Sequence, residues 1–91
     1  LPAVSEKWYR VDVGIAMENL VIAATAYGLG TCWVGAFNEA GVKQVIGAPG
    51  DLAVVAITPL GVPKGEWPAP RGRKEFAQVF SLDTYGKALK L

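Results

Sequence analysis

The stretch DVGIAMENLVIAATAYGLGTCWVGAF, Asp12 to Phe37, joins what reads as a helix to what reads as a strand through two glycines. Val13, Ala16, Met17, Leu20, Val21 and Ala24 recur at spacings of three and four, which is one face of an α-helix. Ile15, Ile22, Ala23 and Ala26 fill much of the opposite face. A helix apolar on nearly all sides is expected to be buried. Its small residues, Gly14, Ala16, Ala23 and Ala24, would let another helix approach closely. The pattern predicts a helix from about Val11 to Tyr27, after a lead-in from Leu1 to Trp8. Gly28 is a natural end for it, because glycine accepts the left-handed conformation of a helix C-cap. Thr31 to Val34 then reads as a short strand, with β-branched and aromatic types.

Outward from this centre, Asn38 is a good N-cap, and Glu39 to Ile46 is predicted as a short helix. GAPGD, Gly47 to Asp51, reads as a turn. Leu52 to Leu60 is the strongest strand signal, too continuous in Val, Ala and Ile for a sheet face in water. Pro59 belongs at its end or on an edge, since it has no N–H to give a ladder. GVPKGEWPAPRGR follows as a proline-rich loop, and Glu75 to Phe80 reads as a last short extended segment. No internal repeat is visible. With so few strands, this element order reads as half of a domain.

Composition narrows the classes. The chain has 91 residues, of which 52% are hydrophobic and 19% charged, too apolar for a disordered segment. So short a chain has little interior to hide that surface, so a partner or further polypeptide is expected to cover it. Leu1 in place of an initiating Met reads the same way, as a piece of something longer. The net charge of +1 does not ask for nucleic acid. One cysteine, Cys32, cannot form an internal disulfide, so a reducing, cytoplasmic setting is expected, with Cys32 as a small buried hydrophobe. There is no histidine, which removes the commonest general base and metal ligand, and no metal site is expected. Leu20 to Phe37 is an uncharged run of 18 residues, but Gly28 and Gly30 break it midway, so no membrane span is expected. Asp12 and Glu18 lie six apart, on different faces of a helix, and read as caps or backbone partners without a catalytic role.

DVGIAMENLVIAATAYGLGTCWVGAF, VKQVIGAPGDLAVVAITPLGVP and PRGRKEFAQVF, in this order and near this spacing, resemble the C-terminal half of the nitroreductase-like FMN-dependent oxidoreductases. The resemblance runs from about Asp12 to about Phe80. It implies an α+β fold with a mostly antiparallel sheet flanked by helices, of which this chain is about half. Residues 1–91 would form the C-terminal part of a single such domain, with the N-terminal half absent. That half in the family carries an arginine- and serine-rich segment that also grips FMN.

The resemblance further implies that Trp33 and Val34 lead into a cofactor-binding turn at Gly35 and Ala36. Backbone N–H groups there would face the N5 and O4 edge of the flavin. Local residues alone also allow Gly28 as a plain C-cap and Trp33 as a core aromatic. By register, Arg71 and Arg73 match cationic residues that bind the FMN phosphate, with Lys74 able to replace Arg71. Arginine suits that role because its planar fork makes paired charge-assisted hydrogen bonds to phosphate. An isolated Arg-Gly-Arg-Lys is equally a solvated loop. The implied activity is electron transfer from NAD(P)H through FMN to a nitro compound or quinone, in a homodimer. No side chain of this chain is expected to act as an acid, base or nucleophile. A second reading is a truncated relative that has lost flavin and serves as an interaction module. Nothing resembling a GxGxxG turn chooses NADH over NADPH.

Overall fold

The structure, a computed structural model, describes residues 2–89, with side chains from Glu6 to Leu89. Helix α1 spans Pro2–Ala26. It therefore begins well before Val11 and takes in the expected lead-in. Pro2 does not oppose this, because a proline in the first turn gives up an N–H that has no helical partner anyway. Gly14, Met17, Val21 and Ala24 form its inner stripe at spacings of three, four and three. Ala24 alone is fully buried among the described residues, at 6% exposure. Val11, Val13, Ile15, Leu20 and Ile22 remain exposed. The helix is thus covered on one face only, where burial on all sides was expected. Among the described residues, no other element lies against its second face.

The end of α1 follows its sequence signal closely. Gly28 has φ +73°, the left-handed region open to glycine. Its N–H donates to Thr25 O at 3.0 Å, and Leu29 N–H donates to Ala24 O at 2.9 Å. Those two bonds make a Schellman cap, which satisfies carbonyls that the last turn leaves free.

After the cap, β1 (Gly30–Thr31) pairs antiparallel with β2 (Leu60–Gly61). Val34 and Ile57 continue the same register as an isolated bridge, exchanging N–H···O bonds of 2.9 and 3.0 Å. The gap between them has a chemical cause. Cys32 and Pro59 face one another in that register, and Pro59 has no N–H to donate. Thr58 repairs the break: its Oγ1 accepts from Cys32 N–H at 2.9 Å and donates to Pro59 O at 2.7 Å. The expected strand Thr31 to Val34 is therefore present as a proline-interrupted ladder over residues 30–34 and 57–61. The first half of the expected strand Leu52 to Leu60 has no ladder partner among the described residues. Cys32, expected to be buried, is exposed.

Helix α2 spans Glu39–Ile46, as expected. Asn38 caps it, its Oδ1 accepting from Gly41 N–H at 2.9 Å, and Gly47 closes it at φ +70°. The segment expected to be extended, Glu75 to Phe80, instead holds helix α3, Phe76–Val79. Gln78 Oε1 accepts from Glu75 N–H at 3.1 Å, and the rings of Phe76 and Phe80 stack at 4.2 Å across the turn. These local bonds decide the matter, since among the described residues no strand lies beside the segment to pair with it.

Helix α1 packs on β1. The radius of gyration is 18.1 Å, where about 12 Å is usual for a compact chain of this length. The architecture is α+β, with a small antiparallel sheet and helices beside it. Among the described residues, no helix is long and apolar enough to cross a membrane.

Candidate functional site

The ladder that carries Val34 has two edges. Successive N–H groups of an extended chain point to opposite sides. Cys32 and Val34 spend theirs on Thr58 and Ile57. Trp33 therefore directs its N–H to the other edge, and Gly35 does so as far as the extended run continues. Neither has a backbone partner among the described residues. Trp33 is bound through its side chain instead: its Nε1–H donates to Glu18 Oε2 at 3.0 Å. Glu18 thus bonds a side chain, where a cap or backbone partner was expected.

Gly35 opens into a cleft of about 420 Å³ lined by Tyr9, Arg10, Phe37, Glu39 and the backbone run Ala53 to Val55. That volume lies within the roughly 300–1,000 Å³ of small-molecule sites. A Cβ built on Gly35 would meet nothing within 4 Å, and its φ is not positive. Neither backbone strain nor packing within the chain demands glycine there. The position is open to whatever approaches from the cleft.

Charge in the cleft comes from two residues that the sequence reading did not single out. Arg10 lies 5.3 Å from the Tyr9 ring centroid. Glu39 reaches across from α2, and its Oε1 accepts from Val54 N–H at 3.0 Å. That backbone bond holds the Glu39 carboxyl below its ordinary value, with Lys43 and then Arg10 adding in the same direction. Lys43 Nζ sits 3.5 Å from Glu39 Oε1 and donates to Gly50 O at 3.2 Å. This pair fastens α2 to Gly50 and Val54, and Val54 lies in the 53–55 stretch that lines the cleft. Only Glu39 carried a sequence signal, an acidic residue in the first turn of a capped helix. Arg10 carried none, since it lay in what reads as the start of a helix.

Arg71 and Arg73 lie elsewhere in character. Both are exposed, in an irregular stretch between β2 and α3. Neither lines the cleft. No hydrogen bond or ion pair among the described residues ties them to residues 33–36. Of the six expected site residues, Gly35 lines the cleft; Trp33, Val34 and Ala36 adjoin it along the chain without lining it, and the two arginines line no part of it. No cluster of metal-ligating side chains is present among the described residues.

The comparisons agree with this architecture. Residues 2–62 match the Nitroreductase family. The match takes in α1, the glycine turn, the ladder and α2, and it covers more than half of the chain. The chain belongs to the nitroreductase family. A putative NADH dehydrogenase/NAD(P)H nitroreductase from Archaeoglobus fulgidus is 30% identical over 65 residues, covering 67% of this chain and 37% of that protein. A 5,6-dimethylbenzimidazole synthase from Rhodospirillum rubrum is 36% identical over 61 residues, covering 67% of this chain and 29% of that protein. The crystal structure of a nitroreductase family protein from Clostridium novyi NT superposes with a TM-score of 0.59 at 42% identity, covering 87% of this chain and 41% of that one. The chain spans about a third of the length of the curated relatives it matches.

Proposed function

We propose that this chain is the C-terminal part of a flavin-dependent oxidoreductase domain. In this reading the backbone at Gly35 and Ala36 meets the isoalloxazine ring of FMN, and Arg71 and Arg73 hold its phosphate. The observation that carries the reading is Gly35 itself, which lines the cleft at the end of the ladder and whose N–H has no backbone partner among the described residues. The residues suit the group. Trp33 and Val34 make an uncharged approach, and small residues at 35 and 36 allow backbone to come close to a flat ligand. Bound flavin would supply the two-electron redox chemistry.

The chain's own part is to hold and to position. Backbone N–H groups at the turn would donate toward an edge where electron density gathers, and the Val34 ladder bond beside them limits the reorganisation this needs. The ladder bonds at Val34 and the Thr58 hydroxyl keep that edge straight. Phe37 and Val55 give the cleft an apolar part beside the charged side chains of Arg10 and Glu39. A nicotinamide donor is supported by the name of the Archaeoglobus relative. A nitro compound or a quinone is the acceptor class that the sequence resemblance implies. We propose a homodimer on the same resemblance, to which the exposed apolar face of α1 lends support. We place the protein in the cytoplasm.

The test uses the full-length polypeptide that carries this sequence. The purified protein should be yellow and release FMN on denaturation. Arg73→Ala should then lower FMN affinity on the order of ten- to a hundredfold, since charge-assisted bonds to phosphate contribute roughly 1.5–3 kcal/mol each. Riboflavin, which has no phosphate, should bind parent and variant nearly alike. Arg73→Lys should recover part of the loss, because lysine keeps the charge but not the fork. A protein that stays colourless after reconstitution would favour the interaction module instead. An equal loss for both flavins would remove Arg73 from the phosphate site.

A further inference from the structure

We infer that Glu18 is a positioning residue for the cofactor-facing strand, acting through the indole of Trp33. This rests on the flavin reading of residues 33–36 given above. Glu18 stands on α1 one position beyond Met17, at the border of the half-buried stripe. Its Oε2 accepts from Trp33 Nε1–H at 3.0 Å, a charge-assisted bond that spans fifteen residues of sequence. No other side-chain bond of this length joins α1 to the strand among the described residues.

The bond lies at the surface, with Trp33 43% exposed, and its place in the fold gives it a role. Among the described residues, the backbone hydrogen bonds of residues 32–34 lie on one edge, to Thr58 and Ile57. Bonds along one edge set the register and the spacing, but they leave the strand free to pivot about that edge. A second tether, roughly across the strand and directed at α1, removes the pivot. Trp33 is two residues from Gly35, so the tether acts where the cofactor-facing backbone begins. The ladder is also weakest just there, because Pro59 removes one bond. Trp33 therefore serves as a strut, and Glu18 as its anchor. The acceptor must be an oxygen at the reach of Glu, and its charge strengthens the bond without being required for the geometry.

Three substitutions in the full-length protein test this: Glu18→Gln keeps an acceptor oxygen, Glu18→Leu removes it, and Trp33→Phe keeps a ring without the donor. The first readout needs no cofactor. In ¹H–¹⁵N spectra of flavin-free protein, Glu18→Leu should shift the Trp33 indole signal and move or broaden the Gly35 and Ala36 amides. Glu18→Gln should leave those amides in place. The second readout is flavin titration. Glu18→Leu and Trp33→Phe should each weaken FMN and riboflavin equally, by roughly three- to tenfold, because the ring end is displaced and not the phosphate end. The double variant should be no worse than either single, since both remove one bond. Thermal midpoints measured alongside separate loss of the fold from loss of position. Gly35 and Ala36 amides that do not respond to Glu18→Leu would overturn the inference, whether or not flavin binds. So would losses that add in the double variant, or a Glu18→Gln variant as impaired as Glu18→Leu. A parent protein that takes up no flavin would overturn the flavin reading alone, and the spectra would still decide the strut.

Discussion

Residues 1–91, produced alone, should not hold this structure as a monomer. The perturbation is removal of everything that covers the second face of α1. The magnitude follows from surface. An unfolded chain of 9.6 kDa exposes about 14,000 Å², and this structure exposes 8093 Å². About 40% of the surface is therefore removed on folding, whereas even a 60-residue domain removes about 60%. A compact protein of this mass would expose about 5,100 Å². The excess, about 3,000 Å² on this chain alone, is at or above one partner's share of an obligate interface, which is on the order of 1,000–2,500 Å². It is also apolar in kind: Ile15 and Ile22 on α1 are 59% and 60% exposed. Sedimentation velocity, small-angle scattering and urea unfolding of the isolated chain are the assays. The expected result is self-association, or a monomer that unfolds without a cooperative transition. A soluble monomer with a radius of gyration near 12 Å and a sharp transition would refute the reasoning, because the chain would then cover its own apolar face.

Other outcomes follow from single groups in the full-length protein. Gly35→Val should reduce flavin affinity at least tenfold while moving the thermal midpoint little, since Gly35 lines the cleft and a Cβ there has no neighbour within 4 Å among the described residues; equilibrium titration beside calorimetry checks both halves. Asn38→Ala should cost about 1 kcal/mol in urea unfolding, because Gly41 N–H loses its cap. Glu39 contributes a pH dependence of known sign: its folded pKa lies below the unfolded value, so its contribution is complete above about pH 4.5 and is lost as pH falls through the lower folded value. Glu39→Gln cannot titrate, so the stability gap between parent and variant should narrow from pH 7 to pH 3 in thermal melts.

What was legible in the sequence was whatever a few adjacent residues decide among themselves. Helix α2 was readable to the residue because Asn38 and Gly47 cap it locally. The end of α1 was readable because Gly28 alone can take φ +73°. The strands were readable in place but not in length, because a strand is defined by its partner. Pro59 announced the break in the ladder, but the repair by the Thr58 hydroxyl needed the Cys32 N–H brought opposite it. Glu75 to Phe80 misled for the opposite reason: its aromatic and β-branched residues suit a strand, but without a neighbour the stacking of Phe76 on Phe80 takes over. The start of α1 was missed because a proline and a serine near a terminus read as a loop until the backbone is seen to continue the helix.

The site divides along the same line. Gly35 stood out in the sequence only through resemblance, and space around it does not single it out, since Gly50, Gly61 and Gly72 are equally unobstructed. What singles it out is the joining of three facts that sequence spacing cannot express. The ladder turns the N–H groups of Cys32 and Val34 inward, the cleft opens at the next glycine, and the indole of Trp33 is tied back to α1. Backbone chemistry of this kind leaves no residue-type signature, because any small residue would serve at the donor and the tether lies on another element. A phosphate site is the reverse case. Arg71 and Arg73 are recognisable by type, yet no hydrogen bond or ion pair among the described residues orients them, so the phosphate role proposed for them rests on the resemblance. The two halves of the proposed site therefore need different tests: the glycine edge responds to bulk and to the Glu18 strut, and the arginines respond to the presence or absence of the phosphate.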